Sequence, residues 1–495
     1  MNNKYSNRQL DIIKDNSKYT LVCAGAGTGK TTTIIGKINY LIKHYNIKEK
    51  EIICITFTNE AVDNLKKKLK EYNYIINCYT FHKFSLNILK NNYKSIISNN
   101  YLDYVIDEFF NSIYYNSTYL KLTLIYFKIT FNNKNYKNKY RKIKKRLIDD
   151  LKIIIKRFIE LLKTKGYTYE NINIFYNKEK QKNNKALLLI IMYIYLTYEK
   201  ELKSTKSIDF NDMINYSIEY IKNNSINTKT KYLIIDEFQD TSDKKFELIK
   251  EFQKKTNCNI FAVGDDFQSI YRFTGCNLNV FINFKNYFPN AKIHKLEETY
   301  RNSLELITIA GSFIMKNDKQ IKKNMTSKKR IKKHIEIIYY KNLEKTLIKL
   351  IEKLYKNNNK CILILGRNNF DINFLKESKQ FKFEKNYIIY LNKKDIKLRY
   401  LTVHKSKGLE EDNVIILNLL NNSNGFPNKR KNNYILKYVT LKSNEIKYGE
   451  ERRLFYVALT RTKNKSYILT QKGKESIFIK ELLKINKKYI KKTSL

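Results

Sequence analysis

Short apolar runs recur along the chain, and the polar residues that follow each one are of a restricted kind. Leu21-Val22-Cys23 leads into a glycine-rich segment, Tyr232 to Ile235 into Asp236-Glu237, and Ile260 to Val263 into Gly264-Asp265. With Ile52 to Thr56 these runs predict strands buried on both faces, hence a parallel sheet covered by helices. A second set, Ile335–Tyr340, Cys361–Leu365, Asn413–Asn418 and Ser466–Thr470, predicts a second sheet. Within the first set, between Thr56 and Tyr232, the pattern turns helical, with Ala186 to Tyr198 almost continuously apolar. That run falls short of the ~20 residues a membrane span needs, so it predicts a buried helix.

The strongest chemical signal is Ala24-Gly25-Ala26-Gly27-Thr28-Gly29-Lys30-Thr31, set between a strand and an amphipathic stretch from Thr32 to Ile42. Strand, glycine loop and helix stand in the order a phosphate-binding loop requires. Glycines permit the turn that aims successive amides at phosphate oxygens, Lys30 would reach the β/γ-phosphates, and the Thr31 hydroxyl would ligate Mg²⁺. The run into Asp236-Glu237-Phe238-Gln239-Asp240 supplies the second half of such a site. Acids at the C-terminal edge of a parallel sheet lie where open α/β sheets bind ligands. Asp236 would hold the metal through water, and Glu237 would orient and deprotonate the attacking water.

In the order of its segments, nearly the whole chain resembles superfamily 1 DNA helicases of the UvrD/Rep/PcrA family, with wording similar to bacterial helicase IV. The resemblance is carried by Thr56-Phe57-Thr58-Asn59-Glu60-Ala61, Thr80-Phe81-His82, Asp236 to Thr241, Val263 to Phe273 and Glu298-Thr299-Tyr300-Arg301. Thr402 to Glu410, Asn424-Gly425-Phe426-Pro427 and Glu450 to Arg461 complete it. It implies an α/β fold of two tandem RecA-like P-loop NTPase lobes, a helical insertion (1B) in the first lobe, and ATP and Mg²⁺ between the lobes. Gln9 would read the adenine edge and Tyr300 stack on its face, while Gln268 would sense the γ-phosphate. Arg301 and Arg461 would be arginine fingers, since a planar guanidinium neutralises developing phosphoryl charge better than an ammonium. Glu410 would contact the ribose or stand as a helix-face carboxylate. Arg367 matches another family arginine, with a surface ion pair as the alternative. The wording departs from UvrD and PcrA at Thr274, where they carry arginine, and at Thr32, which replaces an arginine packed on the adenine. Ser6 replaces an asparagine before Gln9, and Phe273 a tryptophan.

The formal charge of +49, from 96 Lys and Arg against 47 Asp and Glu, agrees with a polyanionic partner. Lysine, asparagine, isoleucine and tyrosine are abundant together, a bias that AT-rich coding produces whatever the function, so the charge weighs less than its size. The densest basic stretch, Asn132 to Lys156, reads equally as a nucleic-acid contact or a solvated helix face. Single strands are held without sequence preference by a cationic groove with aromatic platforms. Phe57, Phe81, Tyr271 and Phe273 are the candidate platforms, with core burial open for Phe57 and Phe81. Thr58, Asn59, Thr80, His82 and His404 stand in motifs whose relatives touch DNA or relay closure.

The motifs place the first lobe at 1–90 and 207–293, the helical insertion at 91–206 and the second lobe at 294–495. Relatives insert a large 2B subdomain before the His404 motif. Here only about 35 residues separate Arg367 from His404, too few for an independent core, so 368–400 is expected to hold a vestigial 2B or a hairpin. The six cysteines have no metal spacing and are expected as reduced, mostly buried thiols. No signal core or membrane span is evident, which predicts a soluble intracellular protein working in the cytoplasm or wherever its DNA resides. The expected activity is ATP-driven translocation on single-stranded DNA and unwinding of partial duplexes, 3′→5′ by the resemblance alone, in repair, recombination or replication, with unknown loading partners. The alternatives are a motor that strips protein from DNA with little unwinding, or an RNA-directed ATPase.

Overall fold

The computed structural model describes residues 5–494 apart from 90–94, 99, 386, 432 and 442–445. Six strands form a first, wholly parallel sheet: β1 (Tyr19–Ala24), β2 (Ile52–Thr56), β3 (Asn77–Thr80), β6 (Tyr232–Ile235), β7 (Asn259–Gly264) and β8 (Lys292–Leu296), in the order β3-β2-β6-β7-β1-β8. The strands absent from this sheet, β4 (Ser95–Ile96) and β5 (Ser207–Ile208), form a separate two-stranded neck. Alternate residues of each strand serve opposite faces. Leu21, Cys23, Leu233, Ile235 and Ile260 join one apolar cluster, while Val22, Ala24, Tyr232, Ile234 and Phe261 join another. Continuous apolar runs are therefore required, as predicted from the pattern.

The second sheet has the order β11-β12-β13-β10-β14-β15-β9-β16. Its strands are β9 (Ile335–Tyr339), β10 (Cys361–Gly366), β11 (Phe381–Phe383), β12 (Ile388–Tyr390), β13 (Lys397–Thr402), β14 (Glu411–Ile416), β15 (Thr462–Thr470) and β16 (Ile490–Ser494). The six from β13 to β16 in that order pair in parallel, and β11–β12 is an antiparallel edge hairpin. Between Gly366 and Lys397 the described residues form only a 3₁₀ helix, Asn369–Leu375, and this hairpin. β3, β8 and β16 escaped the sequence pattern because each lies at or beside a sheet edge and mixes lysine or asparagine with its apolar residues.

Residues between the neck strands form a helical body with its own core. The helix Lys182–Ser204 supplies Leu187, Leu188, Ile190, Ile191 and Ile194, all fully buried, as its apolar run predicts. Three side chains of that core, Ile435, Leu436 and Val439, come from the second-lobe connection between β14 and β15. The expected domain boundary at 90/91 falls outside the described residues. Among the described residues no helix is long and apolar enough to cross a membrane. Cys23, Cys54, Cys78, Cys258 and Cys276 are buried thiols, and Cys361 is exposed.

One buried ion cluster pins the helical body to the first lobe. Lys163 of the helix Lys145–Thr164 lies within 2.9 Å of Glu199, Asp209 and Asp212, the last two at the start of the first-lobe helix Phe210–Asn223. Burial pushes Asp212 up to about 7, against the pull of Lys163. A carboxyl raised in the folded state binds more protons there than unfolded, so this group makes stability fall as pH rises from about 4 to 7. Replacing Lys163 by Ala strands three buried carboxylates and is expected to cost about 3–5 kcal/mol. Urea unfolding at pH 7.5 and pH 5.5 checks this, with the variant recovering part of the loss at the lower pH.

Candidate functional site

The loop after β1 turns through left-handed backbone at Gly27 (φ 72°) and Gly29 (φ 81°), and the helix Lys30–Tyr45 begins at once. Each carbonyl from Ala24 to Gly29 has a donor. Lys323 Nζ donates to Ala24 at 3.0 Å, Thr28 Oγ1 to Gly25 at 3.0 Å, and Thr299 Oγ1 to Ala26 at 2.7 Å. The Tyr300 amide donates to Gly27 at 3.0 Å, Gln9 Nε2 to Thr28 at 3.3 Å and the Thr33 amide to Gly29 at 2.9 Å. Among the described residues the amides from Gly27 to Thr31 have no acceptor, so they face outward at a helix N-terminus, the arrangement that binds anions. Gln9 is buried, and its amide oxygen accepts from the Ser6 amide, so both ends of the group are engaged locally. Tyr300, 57% exposed, offers a free ring beside Gly27, with Thr32 half-buried on the adjoining helix turn.

Across the sheet, β6 delivers Asp236 and Glu237 to the same edge. Glu237 adopts left-handed backbone (φ 52°), an unfavourable conformation for a residue with a β-carbon. Its carboxylate accepts from Lys30 Nζ at 2.9 Å and from Gln239 Nε2 at 2.5 Å, and Lys407 of the second lobe lies 3.5 Å away. Burial alone would raise Glu237, but Lys30 and Lys407 hold it far below the ordinary carboxylate range. Asp236 behaves oppositely, pushed up to about 6 by burial and the charge on Glu237. Lys407 also pairs with Asp240 and donates to the Gln268 carbonyl at 2.9 Å.

The second lobe brings two arginines to this cleft. Arg461 is buried; its Nη2 donates to Gln268 Oε1 at 2.9 Å and its Nε to the Val457 carbonyl at 3.1 Å. Burial and the neighbouring Arg301 charge push it down to about 9, so an anion entering between them would relieve both. Arg301 Nε donates to Glu410 at 2.5 Å, so Glu410, expected at a ribose, engages a candidate finger here. Arg367 grips Glu451 through Nε at 3.0 Å and Nη2 at 2.6 Å, which realises the ion-pair alternative.

Comparison with known proteins agrees with this arrangement. Residues 5–289 match the UvrD/REP helicase N-terminal domain, and residues 384–473 match the UvrD-like helicase C-terminal domain. The chain belongs to the UvrD/Rep helicase family. Its two parallel sheets are the tandem RecA-like lobes of that family. ATP-dependent DNA helicase Rep of Buchnera aphidicola (subsp. Acyrthosiphon pisum) is 30% identical over 347 residues, 68% of this chain and 48% of that protein. DNA helicase IV of Escherichia coli is 25% identical over 489 residues, 96% of this chain and 69% of the relative. PcrA of Leuconostoc citreum is 27% identical over 353 residues, 69% and 43% respectively. The chain thus spans about half the length of Rep and PcrA and somewhat more of helicase IV.

Elsewhere this UvrD/Rep-type chain has a groove of 690 Å³ between the helical body and the first lobe, lined in part by Phe57, His82, Lys156, Arg157, Lys245 and Phe273. Phe57 stacks on Tyr271 (centroids 5.6 Å, planes 13° apart), and Phe273, 40% exposed, meets the His404 ring edge-on at 5.2 Å. Tyr271 donates its hydroxyl to the His404 carbonyl at 3.0 Å. Thr58 and Asn59 are exposed; Thr58 caps the helix Asn59–Lys70, and Thr80 accepts from the Lys83 amide. Phe81, expected on this surface, is a core residue instead, 3% exposed and part of the first-lobe apolar cluster, because it opens a helix whose apolar face points inward. His82 and His404 are both pushed down to about 4, first by burial, so both are neutral imidazoles near pH 7. Of the basic stretch Asn132 to Lys156, residues 132–150 lie largely exposed on the helical body outside the groove lining, whereas Ile153 and Lys156 line the groove.

Sequence reasoning gave no role to Gln239, Lys407, Lys245 or Lys323. Gln239 and Lys407 stand inside quoted motifs, where a buried polar partner for Glu237 could have been sought. Lys323 sits among many lysines, and no local signal separates it from its neighbours. At Gly27 an added β-carbon would lie 2.5 Å from Arg301 Cβ and 2.7 Å from Thr299 Oγ1; at Gly25 it clashes with the end of Met325, at 2.2 Å, and touches Thr28 Cγ2 at 3.4 Å. Gly27→Ala is therefore expected to cost at least about 1–2 kcal/mol from its backbone alone, with Gly25→Ala milder because the thioether can swing away. Urea unfolding of the two variants compares them.

Proposed function

We propose that this chain is an ATP-driven motor that translocates along single-stranded DNA and unwinds duplex ahead of it, moving 3′→5′ as is typical of its family. The observation that carries the reading is the Gln268 side chain, which bonds Asp265 of the first lobe at 2.6 Å and Arg461 of the second at 2.9 Å. Tyr271 and Phe273 follow three and five residues later in the chain. A displacement of Gln268 on hydrolysis would therefore be felt at the aromatic face of the groove.

The loop amides and Lys30 would hold the β- and γ-phosphates. Glu237, kept ionised by Lys30 and Lys407, would orient and deprotonate the attacking water. Thr31 and Asp236 offer the hard oxygen donors that Mg²⁺ prefers, and the ion would neutralise phosphate charge there. Arg301 and Arg461 would complete the charge stabilisation from the second lobe, worth roughly 10³–10⁵ in rate for such fingers. Tyr300 would take the adenine face. Phe57, Tyr271 and Phe273 would stack bases, with lysines of the groove tracking phosphates. One observation favours a second reading, a motor that strips bound protein with little unwinding: the connection from Gly366 to Lys397 is compact in its described residues.

ATP hydrolysis without nucleic acid, with single-stranded DNA and with single-stranded RNA tests the proposal. Strong stimulation by DNA that weakens steeply with salt is expected; indifference to DNA overturns it, and preference for RNA reassigns the substrate. Lys30→Ala should abolish the stimulated rate, and Glu237→Gln should lower it on the order of 10²–10⁴-fold while ATP still binds. Phe273→Ala should weaken single-strand binding by about 1–3 kcal/mol, read by fluorescence anisotropy. Strand displacement on 3′- and 5′-tailed duplexes, with and without a bound protein, separates unwinding from stripping.

A further inference from the structure

Lys323 is the one residue from the long connection after the helix Leu304–Ile314 whose charge is buried beneath the phosphate loop. Its side chain is 0% exposed, and its ammonium reaches the Ala24 carbonyl at 3.0 Å, Asp265 Oδ1 at 2.5 Å and Asp266 Oδ1 at 2.7 Å. It also stands 3.9 Å above the Phe267 ring. Burial alone would lower its affinity for the proton, but Asp265 and Asp266 hold it above the ordinary lysine range, so the cation persists.

The two acids divide the work. Asp266 Oδ2 accepts from Gln320 Nε2 and the Ile321 amide, both at 2.8 Å, and so anchors the connection itself. Asp265 faces the cleft: Oδ1 takes Lys323 and the Phe267 amide, and Oδ2 takes Gln268 Nε2 at 2.6 Å. A glutamine amide fits its site in two orientations of nearly equal shape, and only donors and acceptors choose between them. With Nε2 committed to Asp265, Oε1 is left to accept from Arg461. The reverse orientation would set an NH₂ against a guanidinium.

We propose that Lys323 is a positioning residue that fixes Asp265, and through it the orientation of Gln268 toward Arg461, linking the first carbonyl of the phosphate loop to the second-lobe arginine. The inference rests on the ATPase reading above and adds to it a residue outside the motifs.

The test compares Lys323→Met, Gln268→Ala and the double variant in DNA-stimulated ATP hydrolysis. Lys323→Met is expected to lower kcat by about 10–100-fold, the loss usual when an orienting partner is removed, with KM for ATP within about threefold. The double variant is expected to be no slower than Gln268→Ala alone, because the lysine acts through that amide. Should Lys323→Met fail to fold in a thermal melt, Asp265→Asn carries the test. Its oxygen can still serve Lys323, but its NH₂ would oppose Gln268 Nε2, so the same loss of kcat is expected. Unchanged kcat in the folded variants, or independent losses that multiply in the double variant, overturns the inference. A raised KM with kcat intact also overturns it, because Lys323 would then only brace the loop. Hydrolysis by the unmodified chain is measured first: if DNA does not stimulate it, the functional reading fails and this inference with it, whereas stimulated wild-type hydrolysis with indifferent variants refutes the inference alone.

Discussion

A loop that binds phosphate through its amides must dispose of its carbonyls elsewhere, and the arrangement around Ala24 to Gly29 follows from that constraint. Unpaired buried carbonyls would cost free energy and invite the loop to collapse on its own amides. Here the donors come from four places in the chain: Gln9 before the loop, Thr28 and Thr33 within or just after it, the Thr299–Tyr300 turn, and Lys323. Two of these lie on the connection that leaves the first sheet for the second lobe. The same covalent segment therefore shapes the loop and delivers Arg301 beside it, so nucleotide geometry and lobe geometry cannot be set independently.

The cleft concentrates charge that water would otherwise screen. Lys30, Lys407, Glu237 and Asp240 are largely buried and mutually paired, while Arg461 is buried, bonds neutral oxygens, and feels the like charge of Arg301 more strongly than the nearby Glu237 and Asp265. In a site of low effective dielectric such charges act strongly on a group that develops charge. The opposite displacements of Asp236 and Glu237 separate two adjacent carboxyls into different roles. Glu237 stays ionised well into acid, whereas Asp236 is held closer to neutrality.

The cleft and the groove are bridged by sequence neighbours. Phe267 and Ile270 are buried in the core that the second lobe shares with the loop, and Arg453 donates to the Ser269 carbonyl at 2.6 Å. The turn from Asp265 to Phe273 is thus gripped by both lobes, with Gln268 facing the cleft and Phe273 facing the groove. A rigid element with two faces transmits a displacement without needing a long pathway.

Much of this was legible in the sequence. Strands β1, β2, β6 and β7, the glycine loop, the acid pair and the long buried helix are local patterns, because burial on both faces forces a continuous apolar run and a left-handed turn favours glycine. Composition and order of motifs carried the family. Tertiary structure alone decided the edge strands β3, β8 and β16, whose side chains are half solvated and so carry no clean period. It also placed Phe81 in the core, paired Glu410 with Arg301 and Arg367 with Glu451, and chose Lys323 from a run of lysines. A charge is assigned its partner by distances across the fold, whereas a period is written along the chain; that is why the elements could be read in advance and the ion pairs could not.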